Sequence, residues 1–387
     1  MAENINCVPT DCLFTENFED TIQTLKFFPN NQSNIIASGG WDCKLRLFDI
    51  KYQLQNTYNM YGGNNNNSKI NYTVQKIGEQ VLPNPILNCC WKGANQPQLL
   101  ISDTEGKIYM FDVQANSVVP IGAHQQGVKE LEYFEANNMS LLMSGGWDGV
   151  INFWDFRQQT PVFTFNVGLK IFSMSCTYPL LVVGMDQLKI CYFNLNKLGY
   201  NNFGKEAEFL SHLKHQTRCI ATFPDGGYAL GSVEGRIAIK NVNLMQAPNI
   251  DKNTGLMSSQ GDFAFRAHRM GNNNSDVYSV NCLTFNKAYG TFASGGSDGR
   301  FFLWDKSSKS KLKTGYFEDS APITAMDYNI TGDLFAYAAG YDWSKGLYGQ
   351  LNTKPRIGVH VLIDDERKEK QTNQNQNQST ITSYLRK

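Results

Sequence analysis

Three groups of residues in this chain have types and spacings that chemistry could use. Ser211-His212-Leu213-Lys214-His215 offers two imidazoles, but no third or fourth ligand stands at zinc-like spacing, so no metal site is expected. The aspartates Asp42, Asp148 and Asp298 each follow a run of small residues. They read as turn carboxylates that accept neighbouring backbone N–H groups, not as acids or bases. The third group is cationic and aromatic. Arg300, Lys306, Lys309, Lys311 and Lys313 surround Trp304, with only Asp305 among them and Asp298 just before. Glu234-Gly235-Arg236 occupies the same turn position as Asp298-Gly299-Arg300, and nearby lie Phe263, Phe265, Arg266 and Arg269. Aromatic faces beside Arg and Lys side chains could hold an acidic peptide or a single-stranded nucleic acid. The plainer reading is a solvated lysine loop in which Trp304 only serves its own repeat. On residue chemistry alone that plainer reading weighs more. There is no P-loop and no distinctively placed carboxylate pair, so neither an enzyme nor a cofactor is expected.

The elements that must position these residues come from a repeat. A phrase beginning Ser-Gly-Gly runs over 38–49, 144–155 and 294–305. Its small residues let a strand end and turn without steric cost. A strand follows in which Leu45 and Leu47, Ile151 and Phe153, and Phe301 and Leu303 hold matching alternate positions. Weaker copies occupy 102–112, 231–239 and 181–195, and 357–363 supplies a last strand. Strand ends therefore fall near Asp49, Asp112, Asp155, Asn194, Asn241, Asp305 and Leu362, which makes seven units. The spacings from Asp112 to Asp155 and from Asp155 to Asn194 fall at or near the roughly 40–45 residues of a four-stranded blade. His124 and His268 resemble the histidine that precedes the Trp-Asp element of WD repeats. The expected fold is all-β, a seven-bladed WD40 β-propeller over 12–365. A strand within 12–17 is expected to join the last blade, after an N-terminal extension at 1–11. Asn-rich insertions at about 62–68 and 247–275 read as surface loops, and 366–387 as a disordered polar tail.

Composition sets outer bounds. The 387 residues carry 35 Lys+Arg against 35 Asp+Glu; zero net charge excludes a generic polyanion coat but leaves room for a local basic patch. No run approaches the length of a membrane helix and 1–10 lacks a signal-peptide core, so no membrane insertion is expected. Nine cysteines without a C-x-x-C pair suit a reduced cytosolic or nuclear setting. The central channel is expected to be lined by inner-strand backbone and small side chains, whereas a propeller enzyme would gather titratable groups there.

From about Asp20 to Ile363, and most strongly in its second half, the chain is similar to the nuclear-pore messenger-RNA export factor family of WD-repeat propellers. The stretches that carry the resemblance are Phe263-Ala-Phe-Arg-Ala-His-Arg269, Gly296-Ser-Asp-Gly-Arg-Phe-Phe-Leu-Trp-Asp-Lys306, Lys311-Leu-Lys-Thr314 and Phe335-Ala-Tyr-Ala-Ala-Gly-Tyr-Asp-Trp-Ser-Lys-Gly346. Tyr178-Pro-Leu-Leu-Val-Val183 and the segment 228–239 add to it. The mitotic spindle-checkpoint propellers are related; Trp41-Asp42 and Leu45-Arg-Leu-Phe-Asp49 look more like those. The resemblance implies a non-enzymatic adaptor for mRNA export through the nuclear pore. Such a protein is located in the nucleus and at the nuclear envelope, shuttles to the cytoplasm, and works as a monomeric propeller in hetero-complexes. It further implies a nucleoporin hairpin peptide held through Arg236, with Glu234 in the same turn. A side groove at Phe265, Arg266, Trp304, Lys306, Lys309 and Lys311 would take a viral protein or single-stranded RNA. Lys309 stands where the family has Arg, which keeps the charge but loses the planar fork. The alternative is a spindle-checkpoint scaffold that binds kinase and kinetochore peptides by the same face.

Overall fold

Seven four-stranded antiparallel sheets stand around a central channel. The computed structural model describes residues 11–55, 69–136, 138–201, 203–317, 319–350 and 353–370. The Asn run at 62–68 and residues 371–387 lie outside the described residues. The blades span 22–81, 86–123, 128–166, 171–210, 217–266, 280–316 and 323–361, numbered 1 to 7 in chain order. Each blade's first strand touches the next blade's first strand, and the last (Ile323–Tyr328) touches the first (Ile22–Phe27), so the ring closes. The seventh blade borrows its outer strand: Cys12–Leu13 pairs with Arg356–Val361, Cys12 opposite Val359 and Leu13 opposite Gly358.

The core follows from strand alternation within a radial stack. A middle strand has neighbouring blades on both faces, so its residues are apolar at every position, as in Leu180–Met185, all buried. Outer strands have one wet face and alternate, as in Phe263–Arg266. Apolar clusters consequently sit between blades, for example Ile237, Ile239, Phe285 and Phe292 between blades 5 and 6.

The sequence expectations are refined in three places here. The strands on either side of the Asn run pair as a hairpin. Lys44–Gln55 and Lys69–Val81 stay paired from Lys44–Val81 to Gln55–Lys69, and Tyr52 from this hairpin donates its hydroxyl to Asp333 of blade 7. The region 247–275 is likewise more than a loop. It contains Phe263–Arg266, the outer strand of blade 5, and a small hairpin of Arg269–Met270 with Asp276–Val277. Within it Met257 is buried, and its carbonyl accepts from the buried Lys240 ammonium at 2.9 Å. The third change concerns the polar tail. Asp364–Arg367 is a helical turn, and the strap 364–370 packs on blade 6.

Candidate functional site

The aspartates of the repeat cap turns. Asp42, Asp148 and Asp298 accept the backbone N–H groups of Lys44, Val150 and Arg300 at 3.1, 3.0 and 3.2 Å. In blades 3 and 6 the same carboxylate also orients a histidine. His124 Nδ1 lies 3.1 Å from Asp148, its Nε2 2.7 Å from Ser144 Oγ, and Trp154 Nε1 donates to that hydroxyl at 2.7 Å. His268, Asp298, Ser294 and Trp304 repeat this arrangement at 2.8, 3.0 and 2.8 Å. Burial works against the charged His124 ring and holds its pKa below the ordinary value, although Asp148 favours the charge. Blade 1 replaces histidine with a buried arginine: Arg46 Nη1 lies 2.7 Å from Asp42.

The groove lies between blades 5 and 6. Phe263 and Phe265 stack on the outer strand of blade 5 with centroids 6.1 Å apart. Phe265 meets the half-buried Trp304 edge-on at 4.9 Å. Since the indole N–H is held by Ser294, only the ring of Trp304 is offered to a ligand. Lys309 Nζ stands 4.7 Å over Phe263 and Lys311 Nζ 5.1 Å over Phe302. Both residues are exposed, and neither has a carboxylate partner among the described residues. Lys306 differs: its ammonium is bound to Asp225 at 2.6 Å and rests 5.2 Å over Phe223.

The cationic run from Arg300 to Lys313 is therefore not one stripe. Arg300 lies at the opposite end of its strand from Trp304, and Lys313 is taken by Glu366. Arg266 also leaves the groove. It pairs directly with Arg236, whereas Phe265 pairs with Ile237; alternation puts these two pairs on opposite faces of the sheet. The period of two was legible in the sequence, but which face met blade 6 was not.

Arg236 and Arg266 form a second surface on the other face of blade 5. Like charges directly opposite repel. Arg236 Nε is only loosely met by Glu234 Oε2, at 3.8 Å, and that carboxylate oxygen is 4.0 Å from His215 Nε2. Glycine is required between Glu234 and Arg236. Gly235 has φ +64, and a Cβ there would lie 2.7 Å from the His268 and Tyr278 carbonyls. Arg269 secures the turn from the adjoining hairpin by donating to the Glu234 carbonyl at 2.8 Å.

The central channel departs from the sequence expectation. It is a cavity of about 570 Å³ whose lining includes Lys26, Glu130, Glu132, Arg218, Lys287 and Asp327. Alternate inner-strand residues must point at the axis, and here they are charged residues of both signs. Burial opposes the Lys26 charge, but Asp327, Glu132 and Glu130 outweigh it and raise its pKa. Burial pushes Glu132 up to about 7 against the pull of Lys26 and Lys287. Lys26 and Lys287 offset the Glu132 charge, and no metal-holding cluster occurs among the described residues. No described helix is long and apolar enough to cross a membrane.

Fold and site together define a seven-bladed WD-repeat propeller with a cationic edge on blade 5 and a cationic, aromatic groove between blades 5 and 6. The WD domain, G-beta repeat family matches residues 10–49, 116–155 and 265–305. The chain is 35% identical to the poly(A)+ RNA export protein of Schizosaccharomyces pombe over 354 residues, covering 90% of this chain and 89% of that one. It is 33% identical to the mRNA export factor GLE2 of Chaetomium thermophilum, again over 90% of this chain and 89% of that one. With the mRNA export factor rae-1 of Caenorhabditis elegans the identity is 30%, over 90% and 87%. The chain belongs to the mRNA export factor family of WD-repeat proteins.

Proposed function

We propose that this protein is a non-enzymatic adaptor in mRNA export at the nuclear pore complex, with two ligands on two faces of blade 5. The Arg236–Arg266 edge takes an acidic hairpin peptide of nucleoporin type, and the Trp304 groove takes single-stranded RNA. The observation that carries this reading is that one outer strand, Phe263–Arg266, serves both surfaces. Its phenylalanines face Trp304 and Lys309, and its arginine faces Arg236. Two guanidinium groups side by side, one of them only loosely met by Glu234, suit carboxylates, which accept Arg bidentately. Aromatic rings flanked by uncommitted lysines suit bases and phosphates, the rings by stacking and the ammonium groups as point charges. The names of the relatives support the export role over the checkpoint alternative.

Calorimetry with a synthetic acidic nucleoporin hairpin tests the peptide half. Arg236→Glu should weaken binding at least about 30-fold, in line with about 2–5 kcal/mol for truncating a desolvated charge pair, while the melting temperature stays unchanged. Undiminished binding would remove Arg236 from the interface.

A further inference from the structure

The strap 364–370 lies against the groove that the sequence located without it. Thr291 Oγ1 donates to the Arg367 carbonyl at 2.8 Å, and the Ser307 hydroxyl to Glu369 at 2.9 Å. The Lys370 backbone N–H donates to Asp305 at 2.9 Å, and Lys370 Nζ lies 3.4 Å from the Lys311 carbonyl. At its start the strap is fixed by Glu366, which bonds both Lys313 and His360.

The turn so held is not one a lysine adopts freely. Lys309 has φ +53, in the left-handed region that costs a side-chain-bearing residue free energy unless its surroundings enforce it. That conformation sets Nζ over Phe263. The carboxylate of Asp305, itself buried, accepts from Ser307 N–H, Ser308 Oγ and Lys370 N–H. Burial disfavours its charge, but these bonds outweigh burial and hold its pKa below the ordinary value. All three donors are neutral. The equivalent Asp155 of blade 3 is instead gripped by the guanidinium of Arg157. Neutral donors on Asp305 leave Lys309 and Lys311 uncommitted.

We propose that the strap 364–370 is a wall of the RNA groove. Its Lys370 amide and Glu369 carboxylate brace the 305–310 turn that presents Lys309, and the exposed Lys370 ammonium is a further phosphate contact beside Lys309 and Lys311. This rests on the RNA reading given above; the ligand class is the phosphodiester backbone of a single strand.

The test uses the full chain and a fluorescently labelled oligouridylate across a salt series. Lys370→Ala removes the ammonium and keeps the amide. It should reduce the salt slope by about 0.7, the single-strand value for one phosphate contact, and Lys370→Arg should restore it. Lys370→Pro also removes the N–H and should weaken binding roughly tenfold further by releasing the Lys309 turn. Glu369→Ala should weaken binding about threefold with the slope unchanged, which separates bracing from charge if the proline variant proves unstable. If the unaltered chain binds through Lys309 and Lys311 but all these variants match it, the strap is not part of the groove and the RNA reading survives. If the unaltered chain binds no oligouridylate, both fall together.

Discussion

Blades 3 and 6 contain the same four-residue scaffold and present it differently. In both, histidine bridges aspartate and serine, and serine holds a tryptophan by its indole N–H. Yet Trp154 is 5% exposed, whereas Trp304 is half-buried. The neighbouring blade decides this. Gly122 on the outer strand of blade 2 lets that strand close over Trp154 so tightly that a Cβ would lie 2.4 Å from the ring. At blade 6 the neighbour offers Phe265, which touches Trp304 with its edge and leaves a cleft. Charge diverges in step. Near Trp154, Arg157 is neutralised by Asp155, and Lys92 is held by the Gln98 amide and the ring of Phe156. Near Trp304, Lys309 and Lys311 rest on rings and have no carboxylate partner among the described residues. Repetition builds the scaffold, and the site arises where cover and charge depart from it.

If that separation of roles is right, breaking the scaffold should cost the two blades alike. Asp148→Ala and Asp298→Ala each remove one partner of a buried histidine–carboxylate pair. Each should destabilise the fold by about 1–3 kcal/mol, the cost of leaving a buried polar group without its partner, measured by urea denaturation. A cost near zero at Asp298 alone would mean that blade 6 had given up its scaffold to the site.

The repeat made the fold legible. The strand ends near Asp112, Asn194, Asn241 and Asp305 are the ends of the third strands of their blades. Phe265 and Trp304, 39 positions apart in the sequence, were paired by family resemblance and meet in the structure. What escaped was set by long-range geometry. Lys306 is neutralised by Asp225, 81 residues away, and no local pattern announces such a pair. Ser297, which stands where the first two copies of the repeat have Trp41 and Trp147, bonds Asp342 in the loop of blade 7, so this departure ties blades together. The strap was hidden because polar composition says that a segment lacks a core, not that it lacks a docking place.

A smaller effect sharpens the comparison through a third buried histidine. His360, at the seam where the ring closes, lies between Asp11 and Glu366, with Lys313 Nζ 3.1 Å from Nε2. Burial opposes its charge and Lys313 adds repulsion, but the two carboxylates prevail and raise its pKa above 6.5. His124, with a single carboxylate, moves the opposite way. A raised folded pKa gives stability that is complete below the unfolded value and lost as pH rises through the folded one. The melting temperature should therefore fall on going above neutral pH, and His360→Gln should flatten that decline. An unchanged alkaline limb in His360→Gln would show that the seam does not rely on a protonated histidine.

The central claim, that blade 6 and not blade 3 offers a groove for single-stranded RNA, is tested most directly by paired charge reversals. Lys309→Glu with Lys311→Glu should weaken oligouridylate binding at least tenfold and lower the salt slope by about 1.4, or about 0.7 for each phosphate contact, with thermal stability unchanged. Lys92→Glu with Arg157→Glu, beside Trp154, should leave both affinity and slope as they were. Equal losses from the two pairs, or no loss from the first, would contradict the account.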